Sequence, residues 1–210
     1  MKRQRPGRLR TIPMQDSDRL HEDALVVEAK RAARQRGLAA RATGSPCLGV
    51  RLAGHMLAAC RIPAGATVAG YWPFLDEIDP RPLMLALAGR GHELALPATG
   101  RRGTPLAFRR FRFGDALEPG PFGTCHPFAA AGEVDPSVVL VPLVAFDASG
   151  GRIGHGAGFY DITLAALRDA GEVLAIGIGY EAQRQPRVPT GPLDAPLDAV
   201  ATEAGVILAA

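Results

Sequence analysis

No run of about 18 or more uncharged apolar residues interrupts this sequence, so it offers no membrane-spanning helix. Its start, MKRQRPGRLRTIPMQDSDR, lacks the apolar stretch of a signal peptide. Both absences point to a cytoplasmic protein without a membrane partner. Cysteine is scarce: Cys47, Cys60 and Cys125 stand far apart. An odd count without CxxC spacing argues against a disulfide framework and a zinc knuckle, and the three read as ordinary thiols. Aromatic residues make up only 6%, so the core must be aliphatic. With 47% hydrophobic residues, 210 residues suffice for one sizeable α/β domain.

Charge is present but uneven. Residues 1–41 carry a balance of +6 and residues 42–210 a balance of −3, so the high isoelectric point comes from the N-terminal segment. A basic tail can bind nucleic acid, and it can equally be a solvated extension. Few aromatics and no recognition motif favour the second reading for residues 1–20, which are expected to be disordered. Residues 21–210 are expected to form a single catalytic domain.

Along the chain, residues 22–41 carry a helical pattern, acidic at its start and basic toward its end. Lys30 and Arg34 are four residues apart and share a face, to which Arg41 returns. A second helix is expected over 49–60 and a buried strand over Thr67–Trp72. Another helix is expected over Pro80–Arg90, with Asp79 as its cap and Pro80 at its first position. Strands are expected at His92–Leu96 (closed by Pro97), Leu106–Phe111, Val138–Pro142, Val173–Gly179 and Asp198–Thr202. FGDALEPGPFGTCHP reads as a long loop, and Gly158–Ala170 as a helix. Strands alternating with helices predict a mostly parallel central sheet with helices on both faces, a three-layer α/β/α architecture. Ligands in such sheets bind beyond the carboxyl ends of the strands.

The segment RIGHGAGFYD, Arg152–Asp161, follows the apolar strand and an ASGG turn. Gly154, Gly156 and Gly158 alternate, so phosphate oxygens can approach the backbone amides closely. The helix that follows presents free N–H groups and a positive dipole end. Arg152 adds a positive charge, and Asp161 could hold a magnesium ion that bridges phosphates. The turn is not a P-loop, because no GK[ST] follows. It is not a dinucleotide fingerprint either, because G-x-G-x-G differs from G-x-G-x-x-G.

VPLVAFDASGGRIGHGAGFYD resembles the signature of the 5-formyltetrahydrofolate cyclo-ligase family. YWPFLDEIDPRPLMLAL, PFGTCHP and PLDAVATEAGV resemble further blocks of that family in the expected order. The resemblance runs from about Lys30 to Val206. It implies the cyclo-ligase (NagB/RpiA-like) fold, ATP and Mg2+ as cofactors, 5-formyltetrahydrofolate as substrate, and a monomer. In the implied reaction ATP phosphorylates the formyl oxygen, the neighbouring nitrogen attacks the activated carbon, and phosphate leaves as the methenyl ring closes.

Carried over residue by residue, the resemblance assigns ATP to Lys30, Arg34, Arg152, Gly154, His155, Gly156, Ala157, Gly158 and Tyr160. Arg152 and Tyr160 become candidates for stabilising the transition state, and Asp161 the metal ligand. Glu77 would meet the folate, and Tyr71 and Trp72 would form an apolar wall for the pterin or belong to the core. His126 and His155 read as metal or acid–base groups, or as loop and structural positions. The sequence departs from the family pattern at Ala33, His126, Ala157 and Leu193. A relative that binds a phosphorylated small molecule without ring closure is therefore the alternative.

Overall fold

The computed structural model describes residues 24–209. The tail expected to be disordered, residues 1–20, lies outside the described residues. Helices α1 (Ala24–Arg41), α2 (Gly49–Ala59), α3 (Arg81–Gly89) and α4 (Phe159–Ala170) surround eleven short strands. Seven of them form one sheet: β1 (Thr67–Ala69), β2 (Glu93–Ala98), β3 (Ala107–Phe111), β6 (Val138–Pro142), β9 (Leu174–Ile178), β10 (Ala199–Thr202) and β11 (Gly205–Leu208). Their order is β11-β10-β9-β6-β1-β2-β3. The five central strands run parallel, and β3 and β11 close the two edges antiparallel. The expected mostly parallel, three-layer α/β/α sheet is what forms.

Strand alternation decides which helix each side chain meets. Val68, Leu94, Leu140, Ile176 and Ala201 bury one face of the sheet under Leu52 and Met56 of α2 and Leu83, Met84 and Leu87 of α3. Their neighbours Ala69, Ala95, Val139, Ala175 and Val200 bury the other face under Leu164 and Leu167 of α4. Both faces are covered, which is why VVLV reads as an unbroken apolar run. Helix α1 packs outside this sandwich against a small hairpin, β7 (Ala145–Phe146) and β8 (Arg152–Ile153). Among the described residues no helix is long and apolar enough to cross a membrane. The three cysteines are free thiols.

The structure revises three expectations. The stretch read as a long loop contains a second hairpin, β4 (Leu117–Pro119) with β5 (Cys125–Pro127). Strands of three residues are too short to leave a period-two signature, and the prolines hid them. The strand after Thr67 ends at Ala69, so Tyr71 and Trp72 belong to the following loop. Strand β2 does not stop before Pro97 but runs through it to Ala98. Ala95 gives its carbonyl to the Gly70 N–H. Alternate residues of β2 therefore face β1, and the nitrogen of Pro97 points just past its end. A missing N–H costs nothing there.

Candidate functional site

The loops after β1, β6 and β9 all leave the carboxyl edge of the parallel sheet and converge under α1. The loop after β6 is built first by Asp147. Its carboxylate accepts the N–H and hydroxyl of Ser149 and the N–H groups of Gly151 and Val188. Burial pushes this carboxyl up, but the hydrogen bonds outweigh it and hold it below its ordinary 3.8. The β7–β8 hairpin that results aims Arg152 and the glycine turn back over the sheet.

In the turn, Gly156 and Gly158 take left-handed backbone conformations, with φ of +96° and +73°. Gly158 caps α4 without any side-chain hydrogen bond, so the first amides of that helix stay open to an anion. Ala157 lies outside the left-handed region, and its methyl group therefore costs no backbone strain. Arg34 donates from Nε to the carbonyl of Gly154 at 2.8 Å. A Cβ on Gly156 would come within 3.3 Å of the same guanidinium. The turn thus wraps around Arg34.

Arg152 is buried and held on both prongs. It donates from Nη2 to Asp161 Oδ1 at 2.6 Å and from Nη1 to the carbonyl of Ala195. Asp161 Oδ1 also accepts the Ala195 N–H at 3.1 Å. Tyr160 lies within electrostatic reach of both halves of the site. Burial, then the Glu77 carboxylate, push its phenol well above the usual range, against a smaller opposing pull from Arg152. Tyr160 is therefore a hydrogen-bond donor at neutral pH.

Helix α1 supplies the opposite wall. Lys30, Arg34 and Arg41 recur at helical spacing; Arg34 and Arg41 meet the glycine turn, and Lys30 meets the loop that carries Asp194. Lys30 pairs with Asp194 at 2.7 Å, and both are mostly shielded from solvent. Arg41, which sequence reasoning did not assign to the site, is buried at 3% exposure. It donates from Nη1 to His155 Nε2 at 3.2 Å and lies 3.5 Å from Glu77 Oε1. Its Nε is 2.8 Å from Asp76 Oδ1 without the alignment of a hydrogen bond. The Tyr180 hydroxyl is also buried with no hydrogen-bond partner among the described residues; burial and then Asp76 push it up to about 12. The one available signal for Arg41 was its return to the Lys30–Arg34 face. Gly37 brings α1 this close: a Cβ there would sit 2.2 Å from the Val144 carbonyl oxygen.

Glu77 is buried, accepts the Phe74 N–H at 3.0 Å, and shares a crevice with Arg41, Tyr71, Pro142 and Gln183 that has no room for water. Tyr71 donates to the Ile78 carbonyl at 3.0 Å. Trp72 turns elsewhere, edge-on to Phe111 with the Arg81 guanidinium 4.8 Å from its ring centre. Asp79 accepts the Arg81 N–H at 2.9 Å, but the cap of α3 is Pro80, not Asp79 as read from the sequence, and Pro80 stands one place before the first helical position expected for it. His126 sits on β5 beside Arg109 and Glu118. His155 is exposed within the turn. Ala33 is fully buried against Ala145, Ile153 and Val188, where a larger side chain would hold α1 off. Leu193 is largely exposed. Among the described residues no three His, Cys, Asp or Glu side chains gather as a metal site.

An open helix N-terminus flanked by arginines at the carboxyl edge of a parallel sheet is the geometry of an anion site in an α/β enzyme. Residues 26–203 match the 5-formyltetrahydrofolate cyclo-ligase family, and the chain is an enzyme of that family. A 5-formyltetrahydrofolate cyclo-ligase of Haemophilus influenzae is 30% identical over 135 residues, covering 62% of this chain and 72% of the relative. One from Escherichia coli K12 is 29% identical over 164 residues, covering 76% and 90%. The solved 5,10-methenyltetrahydrofolate synthetase of Aquifex aeolicus superposes with a TM-score of 0.69 at 25% identity, covering 88% of this chain and 92% of that one. A Mycoplasma pneumoniae structure of 22% identity shares the fold, with a TM-score of 0.65 over 83% of this chain and 98% of that one.

Proposed function

We propose that this chain is an ATP-dependent 5-formyltetrahydrofolate cyclo-ligase that forms 5,10-methenyltetrahydrofolate and releases ADP and phosphate. The observation that carries the reading is the uncapped N-terminus of α4, reached through the glycine turn between Arg34 and Arg152. In such a site an incoming phosphate meets amide donors and fixed positive charge that need no rearrangement.

The roles divide along the turn. The backbone of residues 154–158, with Lys30 and Arg34, holds the ATP phosphates. Arg152 is fixed by Asp161 and Ala195, so it can stabilise charge on the group in transfer. Tyr160 stays protonated and can donate to the same oxygens. The formyl oxygen takes the terminal phosphoryl group and ADP departs. The lone pair of the neighbouring nitrogen then attacks the activated carbon, its proton is lost, and the carbon–oxygen bond breaks to release phosphate. Glu77 accepts hydrogen bonds from the N–H groups of the pterin, and its burial strengthens them. The crevice between Glu77 and Tyr71 has no room for a ring as it stands, so folate binding must part the loops that form it, whereas Trp72 braces its loop against Phe111.

Magnesium, when bound, would supply positive charge to the phosphates. Asp161 fits that task with one oxygen, Oδ2, because Oδ1 already accepts two bonds. Phosphates and water would complete its shell, as a metal carried by a nucleotide requires. The test is the absorbance of the methenyl product in a mixture of the pure protein, 5-formyltetrahydrofolate, ATP and magnesium. Product formation that requires all three additions is expected; their combination without product would leave a phosphate-binding relative that closes no ring.

A further inference from the structure

Three buried side-chain atoms have no hydrogen-bond partner among the described residues: Arg41 Nε, Asp76 Oδ1 and the Tyr180 hydroxyl. Such atoms are rare in folded proteins, because burial takes away their water. They belong to separate elements, the end of α1 and the loops after β1 and β9, yet they gather around one guanidinium. Arg41 Nε lies 2.8 Å from Asp76 Oδ1, too poorly aligned for a hydrogen bond. The Tyr180 hydroxyl feels the charges of both. Gly44 lets the chain leave α1 across the Tyr180 ring, where a Cβ would come within 2.6 Å. The rear of Arg41 is thus closely packed, but no aligned hydrogen bond fastens it to Asp76.

The front of the same guanidinium is divided between the two halves of the site. Nη1 contacts His155 Nε2 in the glycine turn at 3.2 Å and lies 3.5 Å from Glu77 Oε1. His155 Nε2 and Glu77 Oε1 are themselves 3.6 Å apart. Arg41 and Glu77 also line one crevice, which is closed in this structure. Parting it for a pterin draws Glu77 away and leaves the buried arginine short of a counter-charge. Phosphates entering the turn beside His155 supply one. Without the arginine, the triphosphate and the Glu77 carboxylate, both negative, would only repel each other.

We propose that Arg41 is a positioning residue that couples the binding of the two substrates, an inference that rests on the cyclo-ligase reading. The nucleotide draws the guanidinium toward the turn and releases Glu77 for the pterin. Folate on Glu77, in turn, releases Arg41 toward the phosphates. The shift is open to Arg41 because its contact with Asp76 is misaligned. Tyr180 then becomes the donor to Asp76 Oδ1, and two of the three unpaired atoms gain partners. Such coupling is reciprocal, so each substrate tightens the other by the same factor. Once folate is saturating, Glu77 is already engaged, and its replacement leaves nucleotide binding as it was.

The test is calorimetric titration of the full-length protein with 5-formyltetrahydrofolate, with and without magnesium and a saturating non-hydrolysable ATP analogue, and then the reverse titration. Expected is a folate Kd at least about fivefold lower with the nucleotide, and the same factor in reverse. Arg41→Met should bring the factor below one, so that the ligands oppose each other. Arg41→Lys, which keeps the charge, should restore a factor above one. Tyr180→Phe should lower the factor by about half or more, while each ligand alone binds within about twofold of its original affinity. A tyrosine with a merely structural role would shift stability and not this ratio. Should Arg41→Met fail to fold, Tyr180→Phe decides, and an unchanged factor overturns the proposal. A factor of one in the unmodified protein, together with methenyl-product formation, overturns it and leaves the cyclo-ligase reading standing. So does the original factor in folded Arg41→Met. Failure of the unmodified protein to bind 5-formyltetrahydrofolate overturns both.

Discussion

The glycine turn is gripped from two sides, and the two grips are built differently. On the α4 side, Arg152 reaches Asp161 only nine residues away. On the α1 side, Arg34 meets Gly154 across 120 residues and Arg41 meets His155 across 114. The first grip follows from local chain geometry. The second depends on docking a whole helix, and that docking rests on a close approach at Gly37. One half of the site therefore starts within the loop and is completed by Ala195, and the other is conditional on packing a whole helix.

Four substitutions and one pH series would break or sharpen this contrast. Arg152→Ala should have the largest effect, lowering kcat by about a hundred- to a thousandfold, as loss of one preorganised donor does; less than a tenfold loss in steady-state assays would remove Arg152 from the transition state. Arg41→Met strands the Glu77 carboxylate in a buried position. It should cost about 3 kcal/mol in denaturant unfolding, and a neutral result would mean that water reaches Glu77 freely. Gly37→Ala should displace α1, destabilise the fold by about 1–3 kcal/mol and raise the KM for both substrates. If only one KM rose, the conditional grip would serve only that substrate.

Smaller effects separate the two ligands. Glu77→Gln should raise the KM for the folate about tenfold, roughly 1.4 kcal/mol, and leave that for ATP unchanged. Equal changes in both would take Glu77 away from the pterin. The smallest effect concerns pH. The Asp147 carboxyl is held below its ordinary 3.8 in the folded protein. Its contribution is therefore complete above the unfolded value and is lost as the pH falls through the folded one. Unfolding free energy should decline below about pH 4, and Asp147→Asn should flatten that decline; parallel curves for the two proteins would contradict it.

Much of this was legible in the sequence because it is local. The parallel sheet showed itself in apolar runs such as Val138–Val141, and the phosphate turn in three alternating glycines followed by a helix. Lys30, Arg34 and Glu77 came from a resemblance that matched blocks in order, and the fold brings Arg34 onto the turn. What was hidden is non-local or very short. Arg41 looked like one more base on a solvated helix until Asp76, Glu77 and His155 converged on it. Trp72 could be read as pterin wall or as core, and its edge-on packing on Phe111 places it with the core. The β4–β5 hairpin has too few residues per strand to carry a pattern. The position of Ala157 is settled by its backbone: the strained conformations fall on the glycines at either side, and the alanine between them is free to be what it is.

The hydrogen bond between Arg34 and Gly154 also has a meaning in time. Helix α1 is translated before its partners Gly154, His155 and Asp194, which follow it by more than a hundred residues. At about 5–20 residues per second, that is a wait of roughly ten seconds. Throughout it Arg34 lacks the turn it grips, while Arg41 can already meet Asp76 and Glu77. A chain that stops short of the glycine turn can pair β1, β2, β3 and β6 and still lack the wall that Arg34 and Arg41 close upon.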